Sequence, residues 1–368
     1  MSDVEGKVKL HISAAEKISK KLPVFYNPAM KLNRDLSVIL LNSVDADELQ
    51  VADILGASGI RSVRFLKELS DNKISYLAIN DISEKSVDLI KKHISENGMM
   101  NDDRVKIFCK DANIFLHEST GFDYIDIDPF GSPNPFLDSA INRLSRRGIL
   151  AVTATDTAPL SGTYPSVCKR KYWAVPLRNE LMHEIGIRVL IRKVQLIGAQ
   201  YEKALIPIFC HSNDHYMRIY FQCKKSKKTV DELIKEHKYL LYCQKCMKAF
   251  YSEFNNEECC LRMLYAGPMY SGKLWDARLV DKMVVNCSEK IYADALKLLN
   301  VISEEAKINC QWHYNIHLMS KKLKTKIPRT EELLSLIKKE GYCAARTHFS
   351  DKSIRTDMPI EKLTKLMK

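Results

Sequence analysis

The first two-thirds of the chain alternate between short apolar runs and amphipathic segments, and this alternation constrains the fold more than any other feature. It is typical of a parallel sheet wrapped by helices, because the chain needs a crossover to return to the start of each parallel strand. Strands are predicted at residues 50–55, 74–80, 105–109, 124–127, 149–153, 189–197, 204–209 and 217–223. The predicted fold class is therefore α/β, with a mostly parallel sheet that ends in antiparallel strands.

A charged segment interrupts this alternation at residues 224–228, which read Lys-Lys-Ser-Lys-Lys. We place a domain boundary there, between a first domain of residues 1–223 and a C-terminal domain of residues 224–368. The second stretch holds two clusters of cysteines and several amphipathic segments, among them residues 331–339, where apolar side chains recur with helical spacing. The sequence predicts a smaller α+β domain for this part of the chain.

Composition narrows the class of protein. No apolar run reaches the ~18 residues that span a bilayer, and the first ten residues lack the apolar core of a secretory signal. The eleven cysteines are an odd number and favour reduced thiols over a disulfide framework. We therefore expect a cytoplasmic protein without membrane contact and with no evident obligate protein partner. The net charge of +12 is compatible with a polyanionic partner such as a nucleic acid.

A cofactor site is indicated where three predicted strands end. The first runs into a turn with Gly56, Ser58 and Gly59, whose glycines let the backbone bend sharply and approach a ligand. The second ends in Asp81, an acid that can accept hydrogen bonds from both hydroxyls of a ribose, and the third ends in Asp111, which can meet an adenine amino group. The turn lacks the GxGxxG spacing of dinucleotide folds. The ordered set predicts an adenosine-type ligand, with an NAD enzyme as the alternative.

The fourth strand ends in Asp128-Pro129-Phe130, which indicates a reactive site beside that ligand. The rigid proline turn is expected to aim the Asp128 carboxylate and the Pro129 carbonyl at one point, where an exocyclic amino group would donate to both. The nitrogen lone pair would then be more available to attack a methyl sulfonium, while Phe130 stacks on the base. Asp126 is expected to face the other side of the strand, so it is not paired with Asp128. The motif predicts an amino-methyltransferase.

A collinear set of motifs spans nearly the whole chain. It comprises Pro23-Val24-Phe25-Tyr26-Asn27-Pro28, Asn33-Arg34-Asp35, the glycine turn at residues 56–61, Asp126-Ile127-Asp128-Pro129-Phe130-Gly131-Ser132-Pro133, Thr153-Ala154-Thr155-Asp156-Thr157-Ala158-Pro159-Leu160, Ala266-Gly267-Pro268-Met269 and Arg346-Thr347-His348-Phe349. This set resembles the tRNA (guanine(26)-N(2))-dimethyltransferase family in its compact archaeal form. The resemblance implies a Rossmann-like class I methyltransferase domain with S-adenosyl-L-methionine as methyl donor. It also implies transfer of one or two methyl groups to the 2-amino group of a guanosine in tRNA.

The resemblance also implies roles for individual residues. The cofactor pocket of the family would be lined here by Arg34, Arg61, Asp81, Asp111 and Ala112. Of these, Arg34 and Arg61 suit the methionine carboxylate, because a guanidinium can bind a carboxylate through two parallel hydrogen bonds. Asp128 matches the proposed catalytic acid of the family.

Four cysteines form a candidate metal site. Cys243 and Cys246 have the Cys-x-x-Cys spacing with which two thiolates bind one zinc ion. The family has a second spaced pair shortly before its Ala-Gly-Pro, and this chain has the adjacent Cys259 and Cys260 there. Adjacent cysteines are expected to ligate one ion only from a strained backbone, so zinc is predicted at less than full occupancy or absent. Without zinc, the first pair would be ordinary apolar packing or a labile thiol pair.

Two basic stretches combine cations with aromatic side chains. The first, residues 169–173, reads Lys-Arg-Lys-Tyr-Trp. The second contains Lys321, Lys322, Lys324, Lys326 and Arg329 and follows Trp312, His313 and Tyr314. Such runs are usually solvated faces, but beside a methyltransferase core they favour a surface for the phosphates and bases of tRNA.

Two other classes of protein are compatible with these motifs. A DNA amino-methyltransferase uses a similar acid-Pro-Pro-aromatic motif and flips its base, whereas here a single proline precedes Phe130 and Gly131 follows it. The same core would also serve an amino-methyltransferase of another RNA. A non-catalytic tRNA-binding protein with a vestigial cofactor fold would have no need of Asp81, Asp111 and Asp128.

Overall fold

The computed structural model describes residues 4–10, 26–213 and 215–368. Up to Lys225 the elements are β1 Val4–Glu5, β2 Val8–Lys9, a 3-10 turn Pro28–Met30, α1 Lys31–Ser43, β3 Leu49–Asp53, α2 Ile60–Glu68, β4 Ile74–Asp81, α3 Glu84–Glu96, β5 Val105–Cys109, α4 Ala112–Glu118, β6 Phe122–Ile127, α5 Asn134–Arg143, β7 Leu144–Ala154, α6 Thr157–Leu160, α7 Pro165–Tyr172, α8 Met182–Gln200, β8 Lys203–Asn213 and β9 Tyr216–Lys225. After it come α9 Lys227–Lys235, β10 His237–Tyr242, β11 Ala249–Ser252, β12 Leu264–Tyr270, α10 Ala277–Val285, α11 Glu289–Ala306, β13 His313–Asn315, α12 Ile316–Leu323, α13 Thr330–Lys339, β14 Ala344–Thr347, β15 Ser350–Thr356 and α14 Ile360–Leu366.

A seven-stranded sheet dominates the first part of the chain, with the strand order β5-β4-β3-β6-β7-β9-β8. Strands β3 to β7 are parallel to their neighbours among themselves, while β9 pairs antiparallel with both β7 and β8. The predicted mostly parallel sheet with antiparallel strands at one end is therefore confirmed. The order reverses between β3 and β6, because β4 and β5 extend the sheet on one side and β6 and β7 on the other.

Helix α3 illustrates how the sequence builds the layers around this sheet. The Ser83 side chain caps its N-terminus by accepting a hydrogen bond from the Ser86 amide at 3.4 Å. Val87, Ile90 and Ile94 recur at helical spacing and are all buried in the core. One face of the helix therefore covers the sheet while its lysines remain in solvent.

The predicted strand at residues 189–197 is wrong, because these residues lie in the middle of helix α8. Val189, Leu190, Ile191 and Val194 are all fully buried, and α8 packs against both β8 and β12. A helix that is covered on several sides carries apolar residues all round and loses the spacing that distinguishes a helix from a strand.

Two small sheets follow the charged segment, with the strand orders β11-β10-β12 and β13-β15-β14. The predicted helix at residues 331–339 is confirmed as α13. The Ser226 side chain caps α9 by accepting a hydrogen bond from the Thr229 amide, so part of the charged segment is the start of a helix. The main apolar core continues past this point through Leu240 and Val280 to Phe349, and the proposed division at residues 223 and 224 stays a prediction.

A buried ion-pair cluster fastens α8 to the last third of the chain. Glu184 on α8 contacts Arg355 on β15 at 2.6 Å and Arg188, one turn along α8, at 2.8 Å. Arg355 also contacts Glu305 on α11 at 2.8 Å, and all four side chains are buried. Because a lone buried charge is costly, each of these residues depends on its partners. Among the described residues, no helix combines the length and the apolar character needed to cross a bilayer.

Candidate active site

The candidate active site lies at the carboxyl ends of β3, β4, β5 and β6. Ligands of open α/β sheets bind in the crevice outside the strand ends, at the point where the strand order reverses. Here that point lies between β3 and β6. Apart from Arg34, every side chain predicted for cofactor binding or catalysis lies at this edge. Each one stands at the end of β4, in a loop that follows a strand, or at the start of a helix.

The glycine turn after β3 is packed tightly against its neighbours. Gly59 precedes α2 with a φ of 74°, and a Cβ built on it would approach Ile90 to 2.9 Å. A Cβ on Gly56 would come to 2.9 Å from a side chain of β4. Ser58 is buried in the same turn, and its carbonyl oxygen lies 2.8 Å from Nδ1 of His93. The two glycines are therefore required for the turn to lie this close to the sheet.

Asp81 links the glycine turn to the end of β4. Its Oδ2 accepts a hydrogen bond from the Ala57 amide at 2.8 Å, and its Oδ1 accepts one from the Ser83 amide at 2.9 Å. Backbone amides of two loops thus orient the carboxylate. Each carboxylate oxygen can accept more than one hydrogen bond, so this orientation is compatible with the predicted contact to a ribose.

Asn80 is a residue that the sequence reasoning missed. Its side-chain Nδ2 donates to the backbone carbonyl oxygens of Ile54 at 3.1 Å and Lys110 at 3.0 Å. The backbone carbonyl of Asn80 accepts a hydrogen bond from the Gly56 amide at 2.8 Å. One buried side chain therefore ties together the three strand ends that carry the predicted cofactor contacts. A signal was present, since asparagine is depleted in strands and stands here at the end of an apolar one.

Asp111 and Ala112 lie at the start of α4. The Asp111 Oδ1 caps this helix by accepting hydrogen bonds from the amides of Asn113 at 2.9 Å and Ile114 at 3.2 Å. Ala112 is buried. The predicted contact of Asp111 with an adenine amino group would share the carboxylate with this cap, and it stays a prediction.

Arg34 is engaged elsewhere. It forms two hydrogen bonds with Glu5, from Nε at 2.7 Å and from Nη2 at 2.5 Å, and its guanidinium lies 5.2 Å from the centre of the Tyr26 ring. Burial raises the pKa of Glu5, but the hydrogen bonds and charges of Arg34 and Arg64 outweigh it and lower that pKa to about 2. The expected contact of Arg34 with a methionine carboxylate stays a prediction. The motif residues 23–25 lie outside the described residues.

The segment after β6 forms a tight turn. Gly131 has a φ of 93°, its amide donates to the Thr155 Oγ1 at 2.6 Å, and its carbonyl accepts from the Thr155 amide at 2.9 Å. Pro129 is buried, whereas Phe130 is 58% exposed and Asp128 retains 17% of its side-chain exposure. The predicted Asp-Pro-aromatic motif is thus a rigid turn with an accessible aromatic ring and a partly accessible carboxylate.

Arg61 joins Asp128 to Asp126. Its Nη2 donates to Asp128 Oδ2, and its Nη1 lies 3.5 Å from Asp126 Oδ2. The expectation that Asp126 faces away from Asp128 is therefore wrong. Residues two apart in a strand point to the same face, and both carboxylates approach the same guanidinium.

Arg218 on β9 is a second residue that the sequence reasoning missed. It holds Asp126 through two hydrogen bonds, at 3.0 Å to Oδ1 and 2.6 Å to Oδ2, and both side chains are fully buried. Burial raises the pKa of Asp126, but Arg218 and Arg61 outweigh it and hold that pKa below its usual range. Burial and the nearby Asp126 raise the pKa of Asp53 to about 7. An arginine within the apolar run of β9 was the available signal, because arginine is almost never fully buried unless it is paired.

Helix α7, which carries most of the first basic stretch, packs against the turn after β6. The Tyr172 hydroxyl donates to Asp156 and lies 3.0 Å from the Ser132 Oγ, while Asn134 Nδ2 donates to the Lys171 carbonyl at 2.8 Å. The exposed basic and aromatic side chains of this helix and its flanks are Tyr164, Lys169, Arg170, Lys171 and Trp173. A basic, aromatic surface therefore adjoins the turn that holds Asp128.

The second basic stretch is only partly a surface. His313 is buried and lies 3.1 Å from Glu184, and Trp312 packs edge-on against Tyr251. The expectation that these aromatic residues share an RNA-binding face with the lysines is wrong for His313, because this side chain contacts Glu184 of the buried ion-pair cluster. The lysines at residues 321, 322, 324 and 326 are exposed.

The four cysteines converge. Their sulfur atoms all lie within 4.8 Å of one another, with Cys246 and Cys259 at 3.6 Å and Cys259 and Cys260 at 3.9 Å. A tetrahedron of sulfurs around zinc, with zinc–sulfur bonds of about 2.3 Å, has edges of about 3.8 Å. Neither Cys259 nor Cys260 has a left-handed backbone. Both residues lie in the loop between Glu258 and Arg262, which pair with each other, so the two adjacent thiols reach the cluster without a left-handed backbone.

The fold and this edge of the sheet define a class. The sheet is mostly parallel, with a glycine turn after β3 and an acid at the end of β4. An Asp-Pro-Phe turn follows β6, on the other side of the point where the strand order reverses. These features together characterise a Rossmann-like class I methyltransferase.

Comparisons with known proteins narrow the class to a family. The model of the N2,N2-dimethylguanosine tRNA methyltransferase family matches residues 6–368. A tRNA (guanine(26)-N(2)/guanine(27)-N(2))-dimethyltransferase of Aquifex aeolicus is 38% identical over 99% of this chain and 94% of its own length. A tRNA (guanine(26)-N(2))-dimethyltransferase of Methanobrevibacter smithii is also 38% identical, over 99% and 96%. The structure of Trm1 from Pyrococcus horikoshii with S-adenosyl-L-methionine is 36% identical, covers 100% of both chains and has a TM-score of 0.88.

The chain belongs to the N2,N2-dimethylguanosine tRNA methyltransferase family. The resemblance read from its motifs and the predicted methyltransferase fold are thereby confirmed. Family membership also decides against an NAD enzyme and a DNA methyltransferase, because the match extends over nearly the whole chain.

Proposed function

We propose that this protein transfers methyl groups from S-adenosyl-L-methionine to the exocyclic 2-amino group of a guanosine in tRNA. The observation that carries the proposal is the place of Asp128-Pro129-Phe130, directly across the reversal of strand order from the glycine turn after β3. The names of the relatives state this reaction for guanine 26, or for guanines 26 and 27.

The residues at the edge of the sheet fit an adenosyl cofactor. Asp81, held by two backbone amides, would bind the ribose, and Asp111 would meet the adenine amino group. Ile82 and Ile114 each follow one of these acids and are 70% and 54% exposed, so they offer apolar surface to a purine ring. When bound, S-adenosyl-L-methionine supplies an electrophilic methyl group on a sulfonium. Arg61 is the arginine of this edge that suits the methionine carboxylate.

Asp128 is the group on which the chemistry would depend. The 2-amino group of guanine is a poor nucleophile, because its lone pair is shared with the ring. A fixed carboxylate stabilises the positive charge that develops on this nitrogen during methyl transfer. The same carboxylate can then accept the proton that leaves, before a second methyl group arrives. The exposed ring of Phe130 would stack on the base and keep the amine in line.

Helix α7 would bind tRNA phosphates next to the target nucleotide. Its hydrogen bonds to Ser132 and Asn134, in the segment after Asp128, fix its exposed cations at the entrance to the site. The exposed lysines at residues 321, 322, 324 and 326 form a second basic surface, beside the cysteine cluster, because Lys322 donates to the Gln244 carbonyl. Since tRNA is the proposed substrate, the expected cytoplasmic location is retained as a prediction.

The cysteine cluster would hold a structural zinc ion. Burial raises the pKa of Cys243, but hydrogen bonds from the amides of Cys246 and Lys245 outweigh it and lower that pKa to about 6. Four sulfur ligands without a place for water are typical of a structural rather than a catalytic site. The expectation of partial or absent zinc rested on backbone strain at Cys259 and Cys260, so we now expect one zinc per chain by elemental analysis.

The test is methylation of an unmodified tRNA transcript, followed by mass spectrometry of its nucleosides. We expect N2-methylguanosine and N2,N2-dimethylguanosine, and nuclease fragments would assign them to position 26 or 27. The D128N variant serves as the matched control, because it keeps the shape of the side chain and removes its charge. A product methylated on another base or another guanine atom would overturn the proposal.

A further inference from the structure

The two buried arginines of the active site, Arg61 and Arg218, both contact Ser37 and Asp126 but differ in exposure to the cleft. Arg218 and Asp126 are fully buried and bonded to each other through both oxygens of the carboxylate. Arg61 reaches the partly exposed Asp128 with Nη2, and its Nη1 is 3.5 Å from Asp126 Oδ2. The Ser37 Oγ accepts from Arg61 at 2.8 Å and from Arg218 at 3.3 Å.

This arrangement places Asp126 and Asp128 in competition for Arg61. Arg218 occupies both oxygens of Asp126, and the Tyr124 hydroxyl adds a hydrogen bond to Oδ2 at 2.7 Å. With these partners in place, the charge of Asp126 is compensated without a hydrogen bond from Arg61. A shift of about 0.6 Å would bring Nη1 to the usual hydrogen-bond distance from Asp126, and it would draw the guanidinium away from Asp128.

We infer that Arg218 is a positioning residue: by neutralising Asp126, it keeps Arg61 directed toward Asp128 and the cofactor pocket. The inference rests on the proposed function, because the value of this orientation is that Arg61 aligns Asp128 and meets the methionine carboxylate. Because Arg218 is fully buried, it would contact neither the amine nor the cofactor. Its effect passes through the Asp126 carboxylate to the guanidinium of Arg61.

Removal of Arg218 has a distinctive consequence under this arrangement. Asp126 becomes a buried carboxylate without its main cation, and Arg61 is the nearest remaining one. Arg61 would turn toward Asp126, so that Asp128 loses its alignment and the cofactor loses a carboxylate partner. If Asp126 is neutralised in the same chain, this pull disappears and Arg61 returns to its place.

The experiment compares four full-length proteins: the parent, R218Q, D126N/R218Q and R188Q. Arg188 is a matched control, because it is also a buried arginine paired with a carboxylate, at 2.8 Å. It lies in α8, and its hydrogen bonds to described residues go to Glu184 and to the carbonyls of Tyr270, Gly272 and Gln311, outside the site. Three quantities are measured: the melting temperature, the dissociation constant of S-adenosyl-L-methionine by calorimetry, and the single-turnover rate of tRNA methylation.

We expect R218Q to weaken cofactor binding about tenfold, as for the loss of a charged hydrogen bond, and to slow transfer by roughly tenfold or more. D126N/R218Q should return both quantities to within about threefold of the parent. R188Q should lower the melting temperature and leave both quantities unchanged. If R218Q does not fold, R218K decides in its place: its single ammonium group cannot reproduce the two parallel hydrogen bonds that Arg218 makes to Asp126, so we expect a smaller loss in the same two quantities, which D126N should again reverse.

Two results would overturn the inference. The first is an R218Q protein, or R218K in its place, that melts earlier yet binds cofactor and transfers methyl groups like the parent, since the ion pair would then be structural only. The second is a folded double variant as impaired as R218Q, since the pair itself would then be needed. A parent protein that binds cofactor but methylates no guanosine would refute the proposed function, and the calorimetric arm would still test Arg218.

Discussion

The Ala57 amide donates a hydrogen bond to the Asp81 carboxylate across 2.8 Å, so the loop after β3 and the acid at the end of β4 form one unit. Because the second carboxylate oxygen accepts from the Ser83 amide, the side chain cannot turn without breaking a bond to one of two loops. The predicted ribose contact would thus be made by a carboxylate that two backbone amides already orient.

We expect D81A to weaken binding of S-adenosyl-L-methionine by roughly tenfold or more, because a charged hydrogen bond to each ribose hydroxyl would be lost. Calorimetric titration of cofactor into the purified variant measures the effect. D81N, which retains one acceptor oxygen, should fall between D81A and the parent. A D81A protein that binds the cofactor as tightly as the parent would refute the assignment.

Asn80 offers a second test of the same edge. N80A removes the donors to Ile54 and Lys110 and frees three loops at once, so we expect weaker cofactor binding together with a lower melting temperature. Two lost buried hydrogen bonds correspond to about 2 kcal/mol of unfolding free energy. Denaturant unfolding and calorimetry report the two effects separately. Unchanged cofactor affinity in a destabilised N80A would limit Asn80 to a role in stability.

Asp128 should affect the rate more than binding. We expect D128N and D128A to slow methyl transfer by ~10²-fold or more, with the loss in kcat rather than KM. Cofactor affinity should stay close to that of the parent. Single-turnover assays with enzyme in excess over tRNA measure the chemical step directly. Near-normal rates for D128N would mean that the Pro129 carbonyl and stacking on Phe130 suffice.

Charge reversal on α7 should weaken tRNA binding. We expect K169E/R170E to lower affinity for tRNA and to reduce the slope of log affinity against log salt by about one per lost phosphate contact. Binding of S-adenosyl-L-methionine should not change. K290E/K297E makes the same change in net charge on α11 and is the control. Equal losses in both double variants would point to net charge rather than to a docking surface on α7.

Acid should destabilise the protein through Glu305. Burial raises the pKa of this carboxyl, but Arg355 and His348 outweigh it and lower that pKa to about 2, from 4.5 in an exposed glutamate. The unfolded chain therefore takes up the proton first, so the stabilisation is complete above about pH 4.5 and is lost as the pH falls toward 2. The contribution is roughly 3 kcal/mol. Denaturant unfolding between pH 7 and 3 should show a weaker pH dependence for E305Q than for the parent.

The candidate site at the strand ends could be predicted from the sequence because its roles require particular residue types at particular places. A glycine that must adopt a positive φ, as Gly59 does, and an acid directly after an apolar strand, as Asp81 is, leave a trace in the sequence. The resemblance to the family predicted which nucleotide of tRNA is the substrate. The spacing of acids and glycines alone does not specify that nucleotide.

Other features could not be predicted because they depend on tertiary contacts. The residues of α8 carry no helical spacing, since the helix is covered on several sides. The partnership of Arg218 with Asp126 joins strands that lie 92 positions apart in the chain. The convergence of Cys259 and Cys260 with Cys243 depends on the shape of a hairpin that spacing alone does not reveal.

The bond between Glu184 and Arg355 spans 171 positions and bears on the order of events during synthesis. Sequential release from the ribosome favours early folding of the N-terminal part, yet Glu184, in the helix that packs against β8 and β9, lacks this cation until Arg355 has been made. A nascent chain that stops short of β15 would pair Glu184 with Arg188 but would lack the second arginine, Arg355, that binds the other carboxylate oxygen. Strand β15 therefore completes the ion-pair cluster only after the sheet that carries the site has been synthesised.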